Sequence, residues 1–276
     1  MDVSIKKLGF AVACALSAGS AAGSGMMDAV MPDYAPNAIG IAVGSVPDYL
    51  GSDDNTVGVA PMARYQFKDS NRFVMLLGPE LDVNLLNSSS WRAGPVLNYS
   101  LGREDVDDPV VDRMKSLDDV LEYGAYVQYI AVDPQNQRNR WTLGLTGLTN
   151  SEDGNEGYRV RLAGQYFHQV SQSVDLNLGA GMWYADKDWN DYYFGVNADN
   201  VGTSGLPFYS AGSGVNQYFV NAGAITYFSK NWALAAGVRY SNIAGDAGDS
   251  PLVEGVAGRG SQDQWIAGVG LTYLSW

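Results

Sequence analysis

The chain is short of the residues that most catalytic and metal sites need. It has one cysteine and one histidine in 276 residues. No zinc-ligand spacing, Gly-rich nucleotide loop or nucleophile-elbow serine is present. Barrel lipases and deacylases pair a histidine with a serine, and His168 has no such setting. These absences point away from an enzyme, from a bound metal and from any cofactor. Positive charge is also scarce: 17 Lys and Arg stand against 30 Asp and Glu, a net charge of −13. Such a chain repels nucleic acid. After the first residues there is no run of about 18 apolar residues, so no membrane-spanning helix is expected.

The N-terminus reads as an export leader. Lys6 and Lys7 precede the apolar stretch Leu8 to Ala18, and Gly19-Ser20-Ala21-Ala22 supplies small residues for cleavage after about Ala22. The apolar stretch is too short to span a bilayer. Cys14 lies inside the leader. A lipoprotein signal needs Leu, Val or Ile three residues earlier, and Ala11 stands there, so lipidation is not expected. Cleavage would leave no cysteine, hence no disulfide framework and no cysteine metal site. The division expected is a leader at 1–22, a periplasmic segment at 23–37 and a single barrel domain at 38–276.

What the chain does have is glycine (33), tyrosine (17) and two-residue alternation. Near the C-terminus Trp265, Ala267, Val269, Leu271 and Tyr273 share one face. Gln264, Gly268, Gly270 and Thr272 share the other, with Ile266 the exception. Val57, Val59, Pro61, Ala63, Tyr65 and Phe67 oppose Gly58, Ala60, Met62, Arg64 and Gln66. Trp232, Leu234, Ala236, Val238 and Tyr240 oppose Ala233, Ala235, Gly237, Arg239 and Ser241. Apolar-out and small-or-polar-in strands with aromatic ends (Trp91, Tyr99, Trp141, Trp232, Tyr240) are the pattern of an outer-membrane β-barrel. A soluble sandwich would turn its apolar face inward instead.

Twelve antiparallel strands are expected, at 38–45, 55–67, 72–77, 80–86, 89–103, 119–132, 139–149, 157–169, 173–187, 215–228, 231–245 and 261–275. The last should run down to the periplasm, which places the connections at 104–118, 150–156, 188–214 and 246–260 outside. The count depends on splitting 72–86 at Gly78-Pro79, where proline removes a ladder donor and glycine permits a turn. Tyr192 to Asn197 reads as outer loop, with a short extra strand or a loop hairpin as alternatives. His168 shares parity with Tyr158, Leu162 and Tyr166, so it should face lipid near the periplasmic interface.

Charge divides by location. Strand parity places Arg64, Arg92, Arg140, Arg159, Arg161 and Arg239 in the lumen, with Asp82, Glu122 and Asp175. Two readings stay open: a mixed-charge network bracing a plugged interior, or an arginine-lined pore that favours anions. The outer loops carry acids: Asp48, Asp53 and Asp54; Glu104, Asp105, Asp107 and Asp108; Asp246 and Asp249. They could be ordinary solvated loop acids. They could instead attract divalent cations that bridge to lipopolysaccharide, or cationic peptides and aminoglycosides.

Four stretches carry a resemblance to the MipA/OmpV family of outer-membrane proteins. They are Pro47-Asp-Tyr-Leu-Gly-Ser-Asp-Asp54, Ala93-Gly-Pro-Val-Leu-Asn-Tyr-Ser-Leu-Gly-Arg103, Tyr193-Phe-Gly-Val196 leading to Ser204-Gly-Leu-Pro-Phe-Tyr-Ser-Ala-Gly212, and Asp246-Ala-Gly-Asp-Ser-Pro-Leu-Val253. The family usually closes with Tyr-x-Phe, whereas this chain closes Tyr273-Leu-Ser-Trp276. The resemblance implies a non-enzymatic barrel of the cell outer membrane, in contact with its lipid and lipopolysaccharide. It also implies a scaffold role, joining a periplasmic lytic murein transglycosylase to a peptidoglycan synthase. A small-solute channel, or a surface receptor or adhesin, is the alternative.

Overall fold

The computed structural model describes residues 37–151, 156–253 and 259–275. The expected leader and the segment preceding Asn37 lie outside the described residues, as does Trp276. Twelve strands close into one antiparallel barrel in which each pairs with its sequence neighbours and β1 closes on β12. They are β1 (Asn37–Pro47), β2 (Asn55–Gln66), β3 (Phe73–Leu77), β4 (Glu80–Asn84), β5 (Trp91–Ser100), β6 (Val120–Asp133), β7 (Asn136–Thr149), β8 (Tyr158–Ser171), β9 (Val174–Ala185), β10 (Gly214–Tyr227), β11 (Trp232–Ile243) and β12 (Asp263–Ser275). Every strand boundary falls within three residues of the expected one.

Alternation explains the wall. Ile39, Ile41 and Val43 of β1 point outward and are exposed, while Ala38 and Ala42 are buried. An exposed apolar face is unstable in water and stable against acyl chains, so this pattern requires lipid outside. Aromatic pairs mark both rims. Trp91 packs against Tyr129, Trp141 against Tyr166 and Trp232 edge-on against Tyr273 at the short-turn end. Tyr240 meets Trp265 and Tyr158 meets Tyr184 at the long-loop end. His168 is exposed and stacks on Tyr166, inside the short-turn girdle. Short turns belong to the periplasm and long loops to the outside.

The wall has one low side. β3 and β4 have five residues each, against 10 to 14 in the other strands. A crossing strand needs about 9–11. Gly78 turns this hairpin early at φ 58, and its N–H donates to the Pro61 carbonyl at 2.8 Å. Above that point β2 pairs only with β1, and proline costs least where a strand loses a neighbour.

The long connection between β9 and β10 is neither a strand nor a hairpin. It holds α1 (Lys187–Phe194) and α2 (Ala198–Ser204). Asp186 caps α1, accepting from the Trp189 N–H, and Asn197 caps α2, accepting from the Asn200 N–H. The alternatives at Tyr192 to Asn197 are thereby corrected: Tyr192 and Phe194 end a helix, and only Val196 forms a bridge, to Tyr209. A short α3 (Gly245–Gly248) follows β11. These segments share an apolar core of their own. Trp189, Tyr193 and Phe194 pack with Val111, Met114, Leu206, Leu252 and Val253. The outer loops therefore form a folded cap over the barrel.

Candidate functional site

The bore beneath the cap is the most chemically loaded part of the molecule. Glu122 on β6 is fully buried. Its Oε2 accepts from Asn98 Nδ2 at 2.8 Å, from Ser100 Oγ at 2.6 Å and from Arg159 Nη2. Its Oε1 accepts from Trp189 Nε1 of α1 at 3.1 Å. The Arg159 guanidinium lies over Trp183 at 4.3 Å and Trp189 at 5.1 Å. One carboxylate thus ties β5, β6, β8 and the cap together. A carboxylate buried this deeply is stable only when each oxygen is so supplied.

A second tie crosses the interior. Arg161 on β8 reaches Glu80 on β4, with Nη2 to Oε1 at 2.8 Å. At the periplasmic end Arg138 pairs with Asp175 at 2.7 Å and lies over Tyr227 at 4.9 Å. The other lumen arginines also lie on rings. Arg64 and Arg92 sit over Phe73 at 4.4 and 5.2 Å, Arg140 over Phe167 at 3.9 Å and Arg239 over Phe219 at 3.9 Å. Arg239 also donates to Ser241 Oγ and Gln217 Oε1. A guanidinium held between an aromatic face and hydrogen-bond acceptors is a packing element as well as a charge. Asp82 and Arg92 line a cavity of ≈ 70 Å³, together with Gln128, Thr142, Phe167 and Asn221.

Of the nine residues assigned to the lumen by parity, Arg64, Glu122, Arg140, Arg159, Arg161, Asp175 and Arg239 are buried, and Asp82 and Arg92 line the bore cavity. Three that matter were not assigned there: Glu80, Arg138 and Trp189. Glu80 shares parity with Asp82 and could have been found by extending the alternation one step back. Arg138 lies just outside the expected strand 139–149, and β7 starts earlier, at Asn136. Trp189 lies in a loop helix, where no strand period applies.

The outer acids are spread among loop-building roles. Asp48 Oδ2 accepts from the Asp107 N–H at 2.9 Å, and Asp53 Oδ1 from the Gly260 N–H at 2.9 Å. Asp108 caps Val110 and Val111 and pairs with Arg259 at 3.0 Å. Asp246 Oδ2 accepts from the Gly212 N–H at 2.9 Å. Glu104, Asp105 and Asp249 are exposed. Asp48 feels the charges of Asp107 and Asp54. Burial first, and then the Asp107 and Asp54 charges, push the Asp48 carboxyl above its ordinary range against the Asp107 N–H. Among the described residues no three His, Cys, Asp or Glu side chains are grouped to hold a metal ion.

A lipid-facing closed barrel with two aromatic girdles, short turns at one end and a folded cap at the other defines an outer-membrane β-barrel protein. The chain belongs to the MipA family: the family model described as "MltA-interacting protein MipA" matches residues 39–274. Among curated relatives, the outer membrane protein Omp26La of Vibrio anguillarum is 32% identical over 122 residues, 43% of each chain. The outer membrane protein OmpV of Vibrio cholerae is 31% identical over 120 residues, again 43% of each. These alignments span less than half of either relative. Among solved structures, the NanC porin covers 86% of this chain at 9% identity and a TM-score of 0.46. An outer-membrane channel from Pseudomonas putida F1 covers 90% at 10% identity and a TM-score of 0.46.

Proposed function

We propose that this protein is a plugged, non-enzymatic barrel that acts through its surfaces, as an outer-membrane anchor for peptidoglycan-remodelling enzymes. The observation that supports this best is the Trp189–Glu122–Arg159 tie, which fastens the cap to the inner wall. The bore cavity beside Asp82 and Arg92, at ≈ 70 Å³, is well below the ~300–1,000 Å³ of a small-molecule site. A barrel so filled is better suited to holding a position in the membrane than to passing solute. The family description names interaction with MltA, and a murein transglycosylase is the partner proposed here. The described periplasmic surface consists of short turns, at 67–72, 85–90, 134–135, 172–173 and 228–231. Affinity through such a patch should be modest unless the segment before Asn37 contributes. The test is capture of purified murein transglycosylase and synthase by the reconstituted barrel, comparing wild type, a 26–36 deletion and turn-swapped variants. Retention that falls with the deletion or the swaps supports the anchor role. No retention by any of these proteins rejects it.

A further inference from the structure

A second cavity lies on the outer face, between the cap helix α1 and the loop that follows β5. Its volume is ≈ 550 Å³, within the range of small-molecule sites. Arg103 lines it. The residue is placed by a two-way backbone bridge with Leu117, both hydrogen bonds being 3.0 Å. The residue is buried, at 6% exposure. Its guanidinium has five donor hydrogens, and among the described residues it makes a single hydrogen bond, to the Tyr193 carbonyl at 3.3 Å. Among the described residues no carboxylate pairs with it. Burial pulls its pKa down to about 10, partly offset by Tyr49 and Tyr192, so it remains a cation at neutral pH. A buried guanidinium with donors to spare, beside a cavity, is suited to a planar anionic group.

The rim has the opposite character. Asp118, Glu156, Asp188 and Asp191 line the same cavity, against Arg103 and Lys115. Four carboxylates and two cations give the lining a net charge of −2, on a chain of −13. A simple anion would be repelled before reaching Arg103. A simple cation would be held at the rim and would leave the Arg103 charge without a counter-charge. A molecule that carries both charges meets both requirements, and Tyr192 offers its apolar body a wall.

We propose that this outer cavity binds small zwitterions of the amino-acid or short-peptide class, the carboxylate on Arg103 and the ammonium group at the acidic rim. The test is calorimetry on the full-length protein in nanodiscs with trialanine, its C-terminal amide and its N-acetyl form. Trialanine should bind. The amide and the N-acetyl form should each bind at least about tenfold more weakly, the factor for one lost charge-assisted contact. Arg103→Met should abolish the preference for the free carboxylate, and Arg103→Lys should keep part of it. Asp118→Asn with Glu156→Gln should abolish the preference for the free amine. The comparison of the three peptides on wild type stands even where Arg103→Met fails to fold, which heat-modifiable gel migration would reveal. Absence of trialanine binding, or equal affinity for all three peptides, overturns the proposal.

Discussion

Trp189 donates its indole N–H to Glu122 at 3.1 Å, so an outer-loop side chain is bound to the centre of the barrel wall network. The two residues are 67 positions apart, Glu122 on β6 and Trp189 on α1. Their contact makes the cap part of the barrel. Trp189→Phe keeps the ring over Arg159 and removes one acceptor contact of a charged group, a loss of ~1.5–3 kcal/mol. Glu122→Ala strands Arg159 in the interior and should cost ~3–5 kcal/mol. Urea titration of the refolded barrel, followed by tryptophan fluorescence, should rank wild type above Trp189→Phe and Trp189→Phe above Glu122→Ala. Equal midpoints would mean that the cap and the wall are uncoupled.

The plug predicts electrical silence. Wild-type protein in planar bilayers should give no discrete conductance. Replacing residues 187–213 by a short Gly-Ser link removes Trp189 and should produce openings. The arginines that remain, among them Arg140 and Arg239, would then favour anions. Arg140→Glu with Arg239→Glu in that background should reverse the preference. Steady anion-selective current from the wild type would reject the plugged reading and favour the channel.

The sequence encodes the barrel wall locally and the cap only through distant contacts. The wall was legible because each residue's facing is set by a period of two, which lipid outside and close packing inside both enforce. The Gly78-Pro79 break was legible because both residues disfavour a continuous strand. The cap was not. Trp189 lies on a helix of eight residues whose position depends on partners from Tyr49 to Val253, and no local pattern encodes such contacts. Ion pairing was half legible. Parity put Arg159, Arg161 and Glu122 inside, but pairing Arg161 with Glu80 depends on which strands face each other across the bore.

Asp48 predicts a pH effect with a definite sign. Its folded-state pKa is raised, chiefly by burial, above the ordinary value. Its protonated form is therefore favoured by folding. The associated stability is present below the unfolded pKa and is lost as pH rises through the folded one. Asp48→Asn removes the charge and keeps an oxygen for the Asp107 N–H. At neutral pH this variant should protect the 101–119 loop against protease, and at pH 4 the advantage should shrink. A wild-type loop cleaved equally fast at both pH values, with no benefit from Asp48→Asn, would rule this out.

Orientation follows from the loop lengths. Gly202 is exposed on α2 and Gln135 on the β6–β7 turn. Gly202→Cys should react with a bulky polymer-linked maleimide on intact cells, and Gln135→Cys only after the outer membrane is opened. The reverse pattern would invert the barrel.

The last prediction sets two glycines against each other. At Gly102 an added Cβ would lie 1.7 Å from the Leu117 carbonyl oxygen, a backbone atom held by the Arg103–Leu117 bridge. At Gly202 it would meet nothing within 4 Å. Gly102→Ala therefore has to break the bridge or push the loop away, which releases Arg103 from its place under α1. Gly202→Ala adds a helix-favouring residue at an open site and should be neutral or stabilising by up to ~1 kcal/mol. Limited proteolysis of the folded barrels should show faster cleavage within 103–118 for Gly102→Ala alone. Trialanine binding should fall with it, because the bridge that places Arg103 is the element lost. Unchanged cleavage in Gly102→Ala would mean that the loop accommodates the methyl group and that Arg103 is fixed by other contacts.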